Sequence, residues 1–74
     1  MIIFTGGNMK IDSLKIKMLM LQKGFTNGDL AEEMNSSRQW LGAILERGHA
    51  TLNYISKLAK ALDVDPKEIV KLED

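Results

Sequence analysis

The residues able to do chemistry are few, and their setting argues against catalysis. Ser36 and Ser37 would need a general base to become nucleophiles. The chain has one histidine, His49, and no convincing base arrangement near the two serines. The acidic pairs Glu32-Glu33 and Glu73-Asp74 fall on an expected helix surface and at the terminus, where solvated charge is the default. Gly6-Gly7 lacks the downstream pattern of a phosphate-cradling loop. There is no cysteine, so thiolate metal sites and disulfides are excluded, and a lone histidine excludes a paired-histidine site. No enzyme, metal site or cofactor is expected. What remains is hydrogen bonding by Ser37, Arg38 and Gln39. A guanidinium fork fits the O6 and N7 of guanine and a primary amide fits the edge of adenine, each worth roughly 1–3 kcal/mol of discrimination.

These groups need a rigid support, and the flanking residues supply one. Leu30, Ala31 and Met34 give one short helix an apolar face, and Leu41, Ile44 and Leu45 do the same for the next. The polar pair Asn35-Ser36 lies between them. Two helices so close in sequence must cross steeply to bury both faces, which holds the second one out where it can enter a groove. Polar starts are marked by Thr26 with Asp29, Ser36 with Gln39, and Asp65 with Glu68. Pro66 suits a first helical position, and Gly24 suits a helix end. Leu52, Ile55, Leu58, Ala59 and Leu62 form a helical stripe. Five helices are expected, at 10–23, 27–34, 37–46, 52–62 and 66–71.

The first helix is apolar on more than one side. Ile16, Leu19 and Met20 share one face, and Ile11, Leu14, Met18 and Leu21 share another. Either the N-terminal segment covers the second face or a partner does. Ile2, Ile3, Phe4 and Thr5 favour a strand that Gly6-Gly7-Asn8 breaks. The expected organisation is an extended segment at 1–9 followed by one all-α, compact five-helix domain at 10–74.

Composition agrees with one small helical domain. The chain has 74 residues, of which 45% are apolar, with ten basic residues balancing ten acidic ones. Neutrality weighs against strong non-specific nucleic-acid binding, which rests on phosphate neutralisation. Charge is nonetheless distributed, with Arg38 and Arg47 beside the groove-entering helix and acidic residues gathered near the C-terminus. No apolar run reaches the roughly 18–20 residues needed to span a membrane, and Met1-Ile2-Ile3-Phe4 is too short for a signal peptide. Absence of cysteine fits a reducing cytoplasm.

The run Lys23-Gly24-Phe25-Thr26, Leu30-Ala31-Glu32-Glu33-Met34, Ser37-Arg38-Gln39, Ile44, Gly48 and Leu58-Ala59-Lys60-Ala61-Leu62-Asp63-Val64-Asp65-Pro66 resembles the Cro/repressor helix-turn-helix family, also called XRE-like or lambda-repressor-like. The resemblance covers residues 16–70. It implies that Ala31 stands where the two motif helices cross, and that Asn35 takes a left-handed turn position where the family often has glycine. Three departures stand out. Asn27, followed by Gly28, replaces a glutamine that helps hold a phosphate. Met20 and Leu45 replace an arginine and a glutamate, so a packed contact takes the place of an ion pair. The loop Glu46-Arg47-Gly48-His49-Ala50 is a residue short, and its basic content is reduced to Arg47 and His49.

The resemblance implies a regulator of double-stranded DNA, of the kind found in phage and mobile-element switches, acting as a homodimer on a two-part operator. The expected DNA-facing residues are Asn27, Ser37, Arg38, Gln39, Trp40, Gly42, Ala43, Arg47, His49 and Asn53. Gly42 and Ala43 offer little polar surface but permit close approach to a backbone or to thymine methyls. Trp40 either packs with its N–H on a phosphate or anchors a protein partner. Tyr54 reads as part of the surface around the fourth helix. The alternative function is a repressor-like modulator, or antirepressor, that acts by complexing a partner repressor. Candidate protein contacts are Ile11, Leu14, Met18, Leu21, Trp40, Ile69, Val70 and Leu72.

Overall fold

Four capped helices and one pair of short strands make up the computed structural model, in which residues 8–71 are described. In chain order they are β1 (Asn8–Lys10), α1 (Ser13–Lys23), α2 (Asn27–Glu33), α3 (Arg38–Arg47), β2 (His49–Thr51) and α4 (Leu52–Leu62). A single 3-10 turn at Pro66–Glu68 follows. The expectation of a purely helical, five-helix domain is therefore corrected on two counts.

The first correction is the sheet. β1 and β2 pair antiparallel, with Met9 opposite Ala50 and Lys10 opposite His49. Ala50 is buried while its neighbours His49 and Thr51 face outward, as a period-2 strand requires. The expected strand at 2–5 lies outside the described residues. The strand that forms begins at Asn8, where a break was expected. Strand pairing takes Lys10 out of the first helix, which starts at Ser13 instead of 10. The Asp12 carboxylate accepts from Lys15 N–H and caps that start.

The second correction is the fifth helix. Asp65 caps a start and Pro66 occupies the first position, yet only one turn forms. Two backbone bonds then pull the chain into an extended path: Asp12 N–H donates to Ile69 C=O at 2.8 Å, and Lys71 N–H to Lys10 C=O at 2.9 Å. Val70 forms an antiparallel bridge with Ile11. This arrangement buries both Ile11 and Ile69 in the core, so neither is available as the interface residue expected of it. Val70 is half-buried, and Leu72 lies outside the described residues.

The remaining elements follow from local rules. Thr26 and Asp29 form a reciprocal capping box at α2. The Thr26 backbone N–H, and after it the Thr26 hydroxyl, holds the exposed Asp29 carboxyl below its ordinary value of 3.8. A carboxylate favoured in the folded state adds stability above its unfolded pKa, and that contribution disappears as pH falls through the lowered folded value. Asp29→Asn is therefore expected to flatten the loss of stability on acidification below pH 3.8, with thermal melts across that range as the check. A variant whose acid slope matches the parent would remove Asp29 from this role.

The core gathers Ile16 and Met20 of α1, Leu30, Ala31 and Met34 around α2, Leu41, Ile44 and Leu45 of α3, and Ile55, Leu58, Ala59 and Leu62 of α4. No polar or charged residue among those described is buried. Met20 and Leu45 both lie in this cluster. Packed apolar groups there avoid the desolvation cost that a buried ion pair carries. Ala31 is buried in the α2 segment that meets α3, and Asn35 turns the chain with φ 58°. That left-handed conformation is one that asparagine tolerates better than most residues.

Candidate nucleic-acid interface

α3 is built to show one face and bury the other. Leu41, Ile44 and Leu45 point into the core, while Arg38, Gln39, Trp40, Glu46 and Arg47 are exposed and Gly42 and Ala43 are half-buried. Its N-cap is Ser37, whose hydroxyl accepts from Trp40 N–H at 3.0 Å. The expected cap, Ser36, is displaced by one residue because its N–H still bonds to Ala31 C=O inside the turn. Ser37 is thus occupied in holding the helix start, and Arg38 and Gln39 occupy its first turn with their side chains outside.

Arg38 rests on α2. A Cβ built on Gly28 would stand 3.6 Å from Arg38 Cδ and 3.7 Å from Thr26 Oγ1. The arginine stem therefore crosses the first turn of α2, next to Asn27 and Gly28. A glycine there makes a poor helix residue, and it leaves a bare strip of backbone beneath the guanidinium stem. Gly42 has no heavy atom within 4 Å of a built Cβ. The outer surface of α3 behind Arg38 is consequently low and open.

Trp40 stands at the side of the helix, 48% exposed. The Arg47 guanidinium lies 5.9 Å from its ring centroid, within reach of a cation–π contact. Asn8, Trp40, Ile44, Arg47, Thr51 and Tyr54 line a cleft of about 200 Å³. His49 sits exposed on β2 opposite Lys10, and Asn53 is exposed in the first turn of α4. The loop after α3 is thus ordered as a strand, which fixes where His49 stands. Asn27 is exposed at the first position of α2. Arg38, Gln39, Gly42 and Ala43 share α3; Asn27, His49 and Asn53 stand on three other elements.

Tyr54 was expected as part of the surface around the fourth helix. It is half-buried, and its hydroxyl lies 3.2 Å from Ser36 Oγ in the turn before α3. At the other end of α3, Ser13 Oγ donates to Leu45 C=O at 2.6 Å. Neither contact has a sequence signature, since the partners are 18 and 32 residues apart.

The proposed protein-contact residues on α1 are outward. Leu14, Met18 and Leu21 are 70%, 54% and 78% exposed. The expected alternative cover, Ile2-Ile3-Phe4, lies outside the described residues. Among the described residues no helix is long and apolar enough to cross a membrane, and no cluster of metal-ligating side chains is found.

Comparison with known proteins places this geometry. The helix-turn-helix family model matches residues 16–69. No curated protein matches the chain significantly. The chain is similar to the restriction-modification controller protein C.AhdI from Aeromonas hydrophila, with 34% identity, a TM-score of 0.68, and coverage of 76% of this chain and 86% of that one. A hypothetical transcription factor, NHTF from Neisseria, shares the fold at 20% identity and TM-score 0.67, over 80% of this chain and 76% of that one. A hydroxyethylphosphonate dioxygenase contains the same fold at 23% identity and TM-score 0.74, but the match covers 89% of this chain and only 14% of the enzyme.

Proposed function

The chain belongs to the helix-turn-helix family, and on that premise we propose that it is a transcription regulator that binds double-stranded operator DNA through α3. The observation that carries this reading is the division of α3. Its apolar residues are buried, while Arg38 and Gln39 stand exposed in its first turn. A helix inserted by its N-terminal end meets base edges with those positions. Asn27, Arg47, His49 and Asn53 contact the flanking phosphates, and Gly42 and Ala43 let the helix lie close to the duplex. The 34% identity to a restriction-modification controller protein supports a regulatory role, and we place that role in a small genetic switch of the phage or mobile-element kind. A homodimer on a two-part operator suits the modest surface that one such domain can offer.

The second reading, a modulator that grips another regulator, is favoured by exposed Trp40 and by the apolar α1 residues Leu14, Met18 and Leu21. Exposed tryptophan is a residue type enriched where proteins meet.

The two separate in one titration. Duplexes selected from a randomised library are bound by the purified protein at 50 and 200 mM salt, with fluorescence anisotropy as the readout. With roughly two to four phosphate contacts, affinity is expected to fall about 10–150-fold between those concentrations. Failure to select any duplex, together with a flat salt response, would refute direct DNA reading.

A further inference from the structure

We infer that Tyr54 and Ser13 are positioning residues that fix the angle of α3 and so set the sequence specificity of the protein. This inference rests on the DNA-binding reading above. The apolar contacts of Leu41, Ile44 and Leu45 hold α3 on the core but are non-directional, so they do not by themselves fix its angle. Two hydroxyl contacts add directional ties, one at each end. At the front, Ser36 is released from capping by Ser37, and its Oγ pairs with the Tyr54 hydroxyl at 3.2 Å. Tyr54 is itself anchored, because its N–H donates to the Thr51 hydroxyl that caps α4. The turn that launches α3 is thereby tied to the rigid start of another helix.

At the rear, the last carbonyls of a helix have no partner within it. The Leu45 carbonyl is one of these, since Ile44 C=O already accepts from Gly48 N–H. Ser13 Oγ donates to Leu45 C=O at 2.6 Å from the first turn of α1. The neighbouring Gly48 C=O accepts from Ile11 N–H at 2.9 Å. The front tie therefore leads to α4 and the rear tie to α1, two elements on which no candidate base-reading residue lies. Hydrogen bonds are directional where apolar packing is not. Their loss lets α3 rock while Leu41 stays buried, and Arg38 and Gln39 then meet the base edges out of register. Phosphate contacts tolerate such motion and carry no sequence information.

The test uses Tyr54→Phe and Ser13→Ala in the full chain, each measured against a selected duplex and a scrambled one. Circular dichroism at the assay temperature establishes that each variant is folded, and Ser36→Ala serves as a second route to the front contact should Tyr54→Phe unfold. The expected result is a drop of about three- to tenfold in the ratio of selected to scrambled affinity, with scrambled affinity unchanged. Tyr54→Phe and the double variant with Ser36→Ala should lose the same amount. Equal losses on both duplexes would indicate a merely structural role and overturn the inference, as would an unchanged ratio. A parent protein that shows no preference for the selected duplex would instead overturn the DNA-binding reading, and the inference with it.

Discussion

Leu41→Ala is expected to destabilise the protein by about 2–5 kcal/mol, the range for removing a buried leucine side chain when the surroundings relax only partly. Leu41 is fully buried on the inner face of α3 and belongs to the same core as Leu30 and Leu58. No other apolar side chain occupies the first turn of α3 on that face, because Arg38, Gln39 and Trp40 all face outward. In a domain of this size each kcal/mol moves the midpoint by roughly 4–8 °C, so thermal melting should fall by about 8–40 °C. Leu21→Ala is the control. Leu21 is equally apolar but exposed on α1, and its removal should change stability by no more than about 0.5 kcal/mol. A Leu41→Ala variant that melts within a few degrees of the parent would mean that α3 is not docked as described.

Arg38→Ala should reduce affinity for a selected duplex by about five- to 150-fold, which corresponds to roughly 1–3 kcal/mol for one bidentate base contact. The loss should be confined to duplexes carrying the contacted guanine, and binding to scrambled DNA should weaken far less. Among the described residues Arg38 makes no ion pair, and its stem lies on the bare backbone beside Gly28. Stability should therefore stay within about 0.5 kcal/mol of the parent, as for other surface substitutions. Binding competition between the two duplexes is the measurement. Uniform weakening on both would turn Arg38 into a phosphate contact, and no weakening would remove it from the interface.

Much of this arrangement can be read from local sequence, and the remainder is lost for an identifiable reason. α4 is legible because its five apolar positions keep helical spacing over 52–62; the structure adds Thr51 as its cap and Asp63, left-handed at φ 58°, as its end. The Thr26–Asp29 box and the left-handed Asn35 are equally local. The sheet is different. A strand of three residues is too short to show an alternation, and β1 finds its partner about forty residues away. Once that pairing is missed, Ile11 and Ile69 look like spare apolar residues at the ends of helices. They are core residues, buried because the segments carrying them run side by side. Asp65, Pro66 and Glu68 signal a helix start and deliver only one turn, because start signals say nothing about the backbone bonds that Ile69 and Lys71 make with the 10–12 segment. Of the interface, the outward setting of Arg38 and Gln39 is legible from the apolar period of α3. The contacts that fix its orientation are not, since Ser36, Tyr54 and Ser13 are polar residues whose meaning depends on distant partners.

The central claim is that the first turn of α3 is the surface that meets DNA. Backbone amide shifts of the isotope-labelled protein, followed as a selected duplex is added, test it most directly. The largest changes should fall on residues 37–43, with smaller ones at Asn27, Arg47, His49 and Asn53, while Leu14, Met18 and Leu21 on α1 stay in place. Changes centred on those α1 residues, with α3 unmoved by the duplex, would contradict the account.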